Sequence, residues 1–171
     1  MTRAVLSLGS NLGDRFVHLR AAVAGFGDAV RAASPVYETA AWGGVEQPDF
    51  LNAVLVVEDA GTDEWGWLRR GQELERAAKR VREVHWGPRT LDVDVVTVDG
   101  LDGPVRSDHP DLLLPHPGTP ERATVLRPWL DVDPGAVLPG HGPVAALLAA
   151  LGPSAEDGMR RRDDLSLLAD R

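Results

Sequence analysis

Ala4-Val5-Leu6-Ser7-Leu8 is followed at once by Gly9-Ser10-Asn11-Leu12-Gly13-Asp14, and then by Phe16, Leu19, Val23 and Phe26. A short apolar run stopped by glycine reads as a strand. Apolar residues recurring every three or four positions read as one face of a helix. The chain therefore opens strand, turn, helix, with Asp14 placed to cap the helix and Gly25 and Gly27 placed to end it. The same unit recurs downstream. Val36 to Thr39 and Phe50 to Val57 read as strands around a Gly- and Pro-containing loop, residues 40–48. Thr62 or Asp63 caps a second helix whose apolar face is Trp67, Gly71, Leu74, Ala78 and Val81. Leu91 to Val98 is the next strand. The order β-α-β-β-α-β predicts a ferredoxin-like α+β sandwich, an antiparallel sheet with helices packed on it.

Beyond that unit the signals weaken. Residues 99–120 are rich in Gly, Pro and Asp and read as a long loop, with short helices over Glu121 to Leu130 and Val144 to Leu151. Residues 1–151 are expected to form one domain. Residues 152–171 mix acidic and basic side chains and read as a charged C-terminal tail, a solvated helix or a frayed end.

The 171 residues hold no cysteine, which excludes a disulfide framework, a zinc ribbon and thiol catalysis. With 18 Lys and Arg against 26 Asp and Glu, the net charge of −8 argues against nucleic acid as a partner. No apolar run approaches the ~20 residues that cross a bilayer, and the apolar stretch after Arg3 is too short for a signal peptide. A cytoplasmic protein with no membrane partner is expected.

The stretch Trp86-Gly87-Pro88-Arg89-Thr90-Leu91-Asp92-Val93-Asp94 carries the most chemistry. Alternate strand residues share a face, so Asp92 and Asp94 point the same way with Cα atoms roughly 7 Å apart. Two like charges repel unless a cation lies between them, and hard carboxylate oxygens suit Mg²⁺. The competing reading is the charged outer face of an edge strand. The segment before the pair favours a ligand. Arg76 to Arg89 carries five basic residues and one acidic, a local charge of +4 in an acidic chain. Arginines fork onto phosphate oxygens, and metals neutralise the remaining charge. Arg76 and Lys79 fit an exposed helix end, where cations are favoured anyway. Arg80, Arg82 and Arg89 fit ligand contact.

Two further constellations are weaker. In Gln47-Pro48-Asp49-Phe50-Leu51-Asn52, Phe50 and Asn52 share a strand face, and a ring beside an amide suits a flat heterocycle. A core Phe and a strand-end Asn explain the same residues. Leu114-Pro115-His116-Pro117, followed by Glu121-Arg122, brings a loop histidine and an arginine within reach of a phosphate. The turn at Gly9 to Asp14 lacks both G-x-G-x-x-G and the Walker lysine.

Taken in order, Leu8 to Asp14, Tyr37-Glu38-Thr39, Gln47 to Asn52, Gln72-Glu73-Leu74-Glu75, Arg80-Val81-Arg82, Trp86 to Asp94 and Pro115-His116-Pro117 resemble the 6-hydroxymethyl-7,8-dihydropterin pyrophosphokinase family of folate biosynthesis. The resemblance covers roughly residues 1–140 and implies the ferredoxin-like fold. It also implies transfer of the β,γ-pyrophosphoryl group of ATP to the pterin's hydroxymethyl oxygen, with release of AMP. Carried over by position, Asp92 and Asp94 hold two Mg²⁺ ions, and Arg82 and Arg89 meet the transferring phosphates. Gln72, Glu75, Arg80, His85, Trp86, His116 and Arg122 line the ATP side. Thr39, the backbone near Ala41 and Trp42, Phe50, Asn52 and the position of Thr124 hold the pterin. A monomer acting on small molecules is implied.

The chain departs from the family pattern in three places. Ala40 and Ala41 stand where two prolines are common. His85 stands where arginine or lysine is common, and Thr124 where an aromatic stacks on the pterin. The D-x-D pair and the arginines fit another two-metal phosphotransferase equally well. Thr124 is the feature that fits a silent nucleotide- or pterin-binding module.

Overall fold

The computed structural model describes residues 1–40, 47–80 and 90–168, with the backbone alone for Arg80. In chain order the elements are strand β1 (Thr2–Ser10), helix α1 (Arg15–Phe26), strands β2 (Val30–Ala33), β3 (Tyr37–Thr39) and β4 (Phe50–Asp59), and helix α2 (Glu64–Arg80). Then come strands β5 (Asp92–Gly100), β6 (Gly103–Pro104), β7 (Ser107–His109) and β8 (Leu112–Leu114), and helix α3 (Ala123–Val132). Strands β9 (Val137–Leu138) and β10 (Gly142–Pro143), helix α4 (Val144–Ala150) and strand β11 (Met159–Arg161) complete the chain.

The main sheet runs β11-β3-β4-β1-β5-β6, with β2 also paired to β4. Every pairing is antiparallel. The centre β3-β4-β1-β5 is the ferredoxin-like order expected from the pattern of elements. Both faces of the sheet are covered. Leu6, Leu8, Ala53, Leu55, Val93 and Val95 bury against α1 and α2. Val5, Val54 and Val96 bury against α3 and α4. A bulge shifts the β1–β5 register between Val5 and Leu6, so Val95 and Val98, three residues apart, bury in the same core.

The local signals explain the helices. Asp14 accepts a hydrogen bond from the Val17 amide at 3.3 Å, and Asp63 accepts one from the Gly66 amide at 2.7 Å. Both are N-caps. Leu19, Val23, Phe26 and Trp67 are all buried. Helix α1 runs through Gly25 and ends before Gly27, whose φ of 56° needs a glycine.

Three expectations are corrected. The segment before Pro35 holds the strand β2, which the sequence hides because Val30-Arg31-Ala32-Ala33 is short and small-residue-rich. Residues 99–120 are not one loop: β7 and β8 pair there, and Thr119–Glu121 forms a 3₁₀ turn. The tail is neither a solvated helix nor frayed over its described length. It supplies β11 at the sheet edge and buries Leu167.

Candidate functional site

The site is built on the α3 face of the central strands, at their open end. In β1, Gly9 pairs with Asn52 of β4 on one side and with Asp92 of β5 on the other. One row below, Ser7 pairs with Val54 and with Asp94. Residues paired across antiparallel strands project to the same face. Asn52 and Asp92 therefore flank a residue without a side chain, with Cα atoms roughly 10 Å apart at two strand spacings. A Cβ on residue 9 would lie 3.2 Å from Asn52 Oδ1. Asp92 and Asp94 are half-buried on this one face, as the period of two predicts.

The Asn52 side of the row is assembled by β3. Tyr37 pairs with Asn52 and Thr39 with Phe50, which puts all four on the same face. Asn52 Nδ2 donates to Thr39 Oγ1 at 2.7 Å, which leaves Asn52 Oδ1 and its second N–H free of that bond. Thr39 is buried, while Asn52 and Phe50 are half-buried.

The Asp94 side gathers His116 and Arg122. The His116 amide donates to Val96 O at 2.9 Å, which pins the turn after β8 to β5 two residues beyond Asp94. The Gly118 amide donates to His116 Nδ1 at 3.3 Å, so the ring proton sits on Nε2. Burial pushes the imidazole below its usual pKa, the Asp94 carboxylate opposes that shift, and Arg122 adds to it. Arg122 folds over Gly118, where a Cβ would lie 2.9 Å from its Nε. Thr124 is half-buried in the first turn of α3.

Helix α2 closes the back of β5. A Cβ on Gly71 would lie 2.9 Å from Val93 Cγ1, so only glycine lets the helix sit this close. One turn later, Glu75 Oε2 accepts the Val93 amide at 3.0 Å, between the two aspartates of the pair. The resemblance assigns Glu75 to the ATP side, and the structure adds this bond to the strand itself. Gln72, Arg76 and Lys79 are exposed on α2, and Arg80 is its last residue. Of the residues singled out from sequence, Ala41, Trp42, Arg82, His85, Trp86 and Arg89 lie outside the described residues.

Comparison with known proteins identifies the family. A model of the 7,8-dihydro-6-hydroxymethylpterin-pyrophosphokinase (HPPK) family matches residues 5–134. The chain belongs to this family. The 2-amino-4-hydroxy-6-hydroxymethyldihydropteridine pyrophosphokinases of Mycobacterium bovis and Mycobacterium tuberculosis are each 52% identical to it, over 94% of this chain and 89% of theirs. The pyrophosphokinase of the same name from Methylorubrum extorquens is 41% identical over 90% of this chain and 96% of its own. Among solved structures, an HPPK-DHPS in complex with substrates superposes with a TM-score of 0.68 at 12% identity, over 94% of this chain and 46% of that one. Wild-type Plasmodium falciparum HPPK-DHPS gives 0.66 at 13%, over 94% and 48%. The chain thus spans about half the length of those structures, and they show the shared fold.

Within this candidate site, sequence reasoning missed three things. Gly9 reads only as a strand stop, yet it is the centre of the row. Ser10 Oγ, Asn11 Oδ1 and Thr90 Oγ1 are buried and have no hydrogen-bond partner among the described residues. Asn11 Nδ2 also donates to Gln47 Oε1 at 3.3 Å, which ties the end of β1 to the approach to β4. Polar residues closing an otherwise apolar strand were the available signal.

Proposed function

We propose that the chain transfers the β,γ-pyrophosphoryl group of ATP to the hydroxymethyl oxygen of 6-hydroxymethyl-7,8-dihydropterin and releases AMP, with Mg²⁺ as its metal. Its family and its half-identical relatives of the same name make it a pyrophosphokinase of folate biosynthesis. The observation that supports the detailed reading best is the row Asn52-Gly9-Asp92, which sets an amide and a carboxylate pair on either side of a bare strand position.

The donor set fits a hard divalent ion. Asp92 and Asp94 offer carboxylate oxygens on one face, and the chain has no thiolate to favour a softer metal. When bound, the two ions would supply charge neutralisation on the polyphosphate.

The chain's own side chains do the rest. Asn52 reads the hydrogen-bonding edge of the pterin and is aimed by Thr39, while Phe50 stacks on the ring, with the backbone near Ala41 and Trp42 and the position of Thr124 completing the pocket. His116 Nε2–H and Arg122 donate to phosphate oxygens on the ATP side, which Gln72, Glu75, Arg80, His85 and Trp86 also line. Arg82 and Arg89 meet the transferring phosphates, where charge develops. The enzyme works in the cytoplasm as a monomer.

The test is substrate dependence. ATP consumption by the purified chain should require both the dihydropterin and Mg²⁺. Consumption that ignores the pterin would point to a different acceptor, and none at all to a binding module.

A further inference from the structure

Glu38 lies in β3 between the site residues Tyr37 and Thr39, with its side chain on the opposite face of the strand. It is 8% exposed, so its carboxylate needs partners. Three arginines supply them. Arg15, at the start of α1, reaches Glu38 Oε2 at 2.8 Å. Arg162 reaches Oε1 at 3.5 Å, and Arg160 pairs with the same oxygen. Arg15 also donates to the Asp49 carbonyl at 2.8 Å, immediately before Phe50. One ion cluster thus grips the residue before Thr39 and the residue before Phe50, and Thr39 pairs with Phe50 across β3 and β4.

The other face of β3 is held as well. The Tyr37 hydroxyl donates to Asp131 of α3. Asp131 takes Arg127 at 2.7 Å, and Arg127 Nε lies 3.8 Å from Glu156. Between Glu156 and Arg162 runs β11, which pairs Met159 with Thr39 and Arg160 with Glu38. The Ala40 amide donates to Gly158 O at 3.2 Å, and the Arg162 amide to Val36 O at 2.8 Å. A strand of three residues is weak by itself, and an uncovered edge is weaker still. Residues 156–162 lie beyond the residues that the family model matches.

We infer that residues 156–162 are a positioning element for the acceptor half of the site: they clamp β3 from both faces and along its edge, so that Thr39 stays aimed at Asn52. The substrate named here rests on the function proposed above. Glu38 and Arg160 do not touch the pterin; they act through Thr39 and through the backbone before Phe50.

The test uses the full chain with Arg160→Ala, a change at a side chain 71% exposed, which folding tolerates. The KM for the dihydropterin should rise about two- to fivefold, the range expected for one partly exposed ion pair. The KM for ATP and kcat should stay near wild type. Arg160→Lys, which keeps a cation at Glu38, should recover most of the loss. In the same Arg160→Ala protein, hydrogen exchange at the Ala40 amide should speed up while exchange along β1 stays unchanged. Unchanged exchange with an unchanged pterin KM would overturn the clamp. So would equal rises in both KM values with a fall in kcat, since that marks a general loss of structure. Faster Ala40 exchange in a chain whose wild type ignores the pterin would uphold the clamp and overturn the substrate reading.

Discussion

Asn52 and Asp92 stand in one cross-strand row with only Gly9 between them. The relationship places the amide proposed to read the acceptor and the carboxylate proposed to hold the metal on the two strands that flank β1, and it leaves the floor between them bare. Sites built on sheet residues hold their geometry better than sites built on loops.

Gly9→Ala tests that floor. The Gly9 backbone is not left-handed, so alanine fits the strand. Its Cβ would nonetheless press on Asn52 Oδ1 from 3.2 Å, and Asn52 is already tied to Thr39. A displacement of a few tenths of an ångström at a positioning group should cost roughly three- to tenfold in kcat/KM for the pterin. The thermal midpoint should change little. Steady-state kinetics beside a melting curve decide the matter; a large fall in stability with unchanged kinetics would return Gly9 to a packing role.

Asp92→Asn and Asp94→Asn should each lower turnover roughly 100-fold or more, the scale of losing one preorganised electrostatic group. Both variants should fold as well as the wild type or better, because a like-charge contact is relieved. A readout independent of activity comes from His116. Burial lowers its pKa, and the Asp94 carboxylate holds it up against that shift. Mg²⁺ at the pair should cancel the support, so the imidazole NMR titration should move to lower pH when Mg²⁺ is added. In Asp94→Asn the titration should start lower and lose this response. A wild-type titration that ignores Mg²⁺ would contradict metal binding at Asp94.

Tyr37 gives a clean pH test because it is the single tyrosine of the chain. Burial, followed by the hydrogen bond to the Asp131 carboxylate, pushes its hydroxyl up from 10.0 to about 12. The folded state thus holds this proton more tightly than the unfolded chain. Its contribution to stability is whole below pH 10 and is lost as pH rises toward about 12. Phenolate absorbance of the folded protein should therefore appear only well above pH 10, and Tyr37→Phe should flatten this part of the stability profile. A titration near pH 10 in the native protein would mean that the phenol is not held on α3.

The parts of this molecule that were legible in sequence are those with a strong local cause. The Asp92-Val93-Asp94 alternation fixes a strand and the face of its carboxylates at once. Asp14 and Asp63 announce helix starts, and Trp67 with Ala78 marks the buried stripe of α2. The illegible parts depend on partners distant in sequence. Met159-Arg160-Arg161 has no alternating pattern and becomes a strand because β3 offers an open edge and Glu38 a buried carboxylate that Arg160 joins. Glu38 itself sits in a quoted motif with no role assigned, although an acid between Tyr37 and Thr39 in a buried strand signals a counter-ion elsewhere. Gly9 reads as a stop until both neighbouring strands are in place.

The central claim is tested most directly by the nucleotide left after reaction. The chain is incubated with ATP, Mg²⁺ and 6-hydroxymethyl-7,8-dihydropterin, and the products are separated and identified. Pyrophosphoryl transfer predicts AMP in equal amount with a pterin carrying a diphosphate ester. ADP with a pterin monophosphate would contradict it.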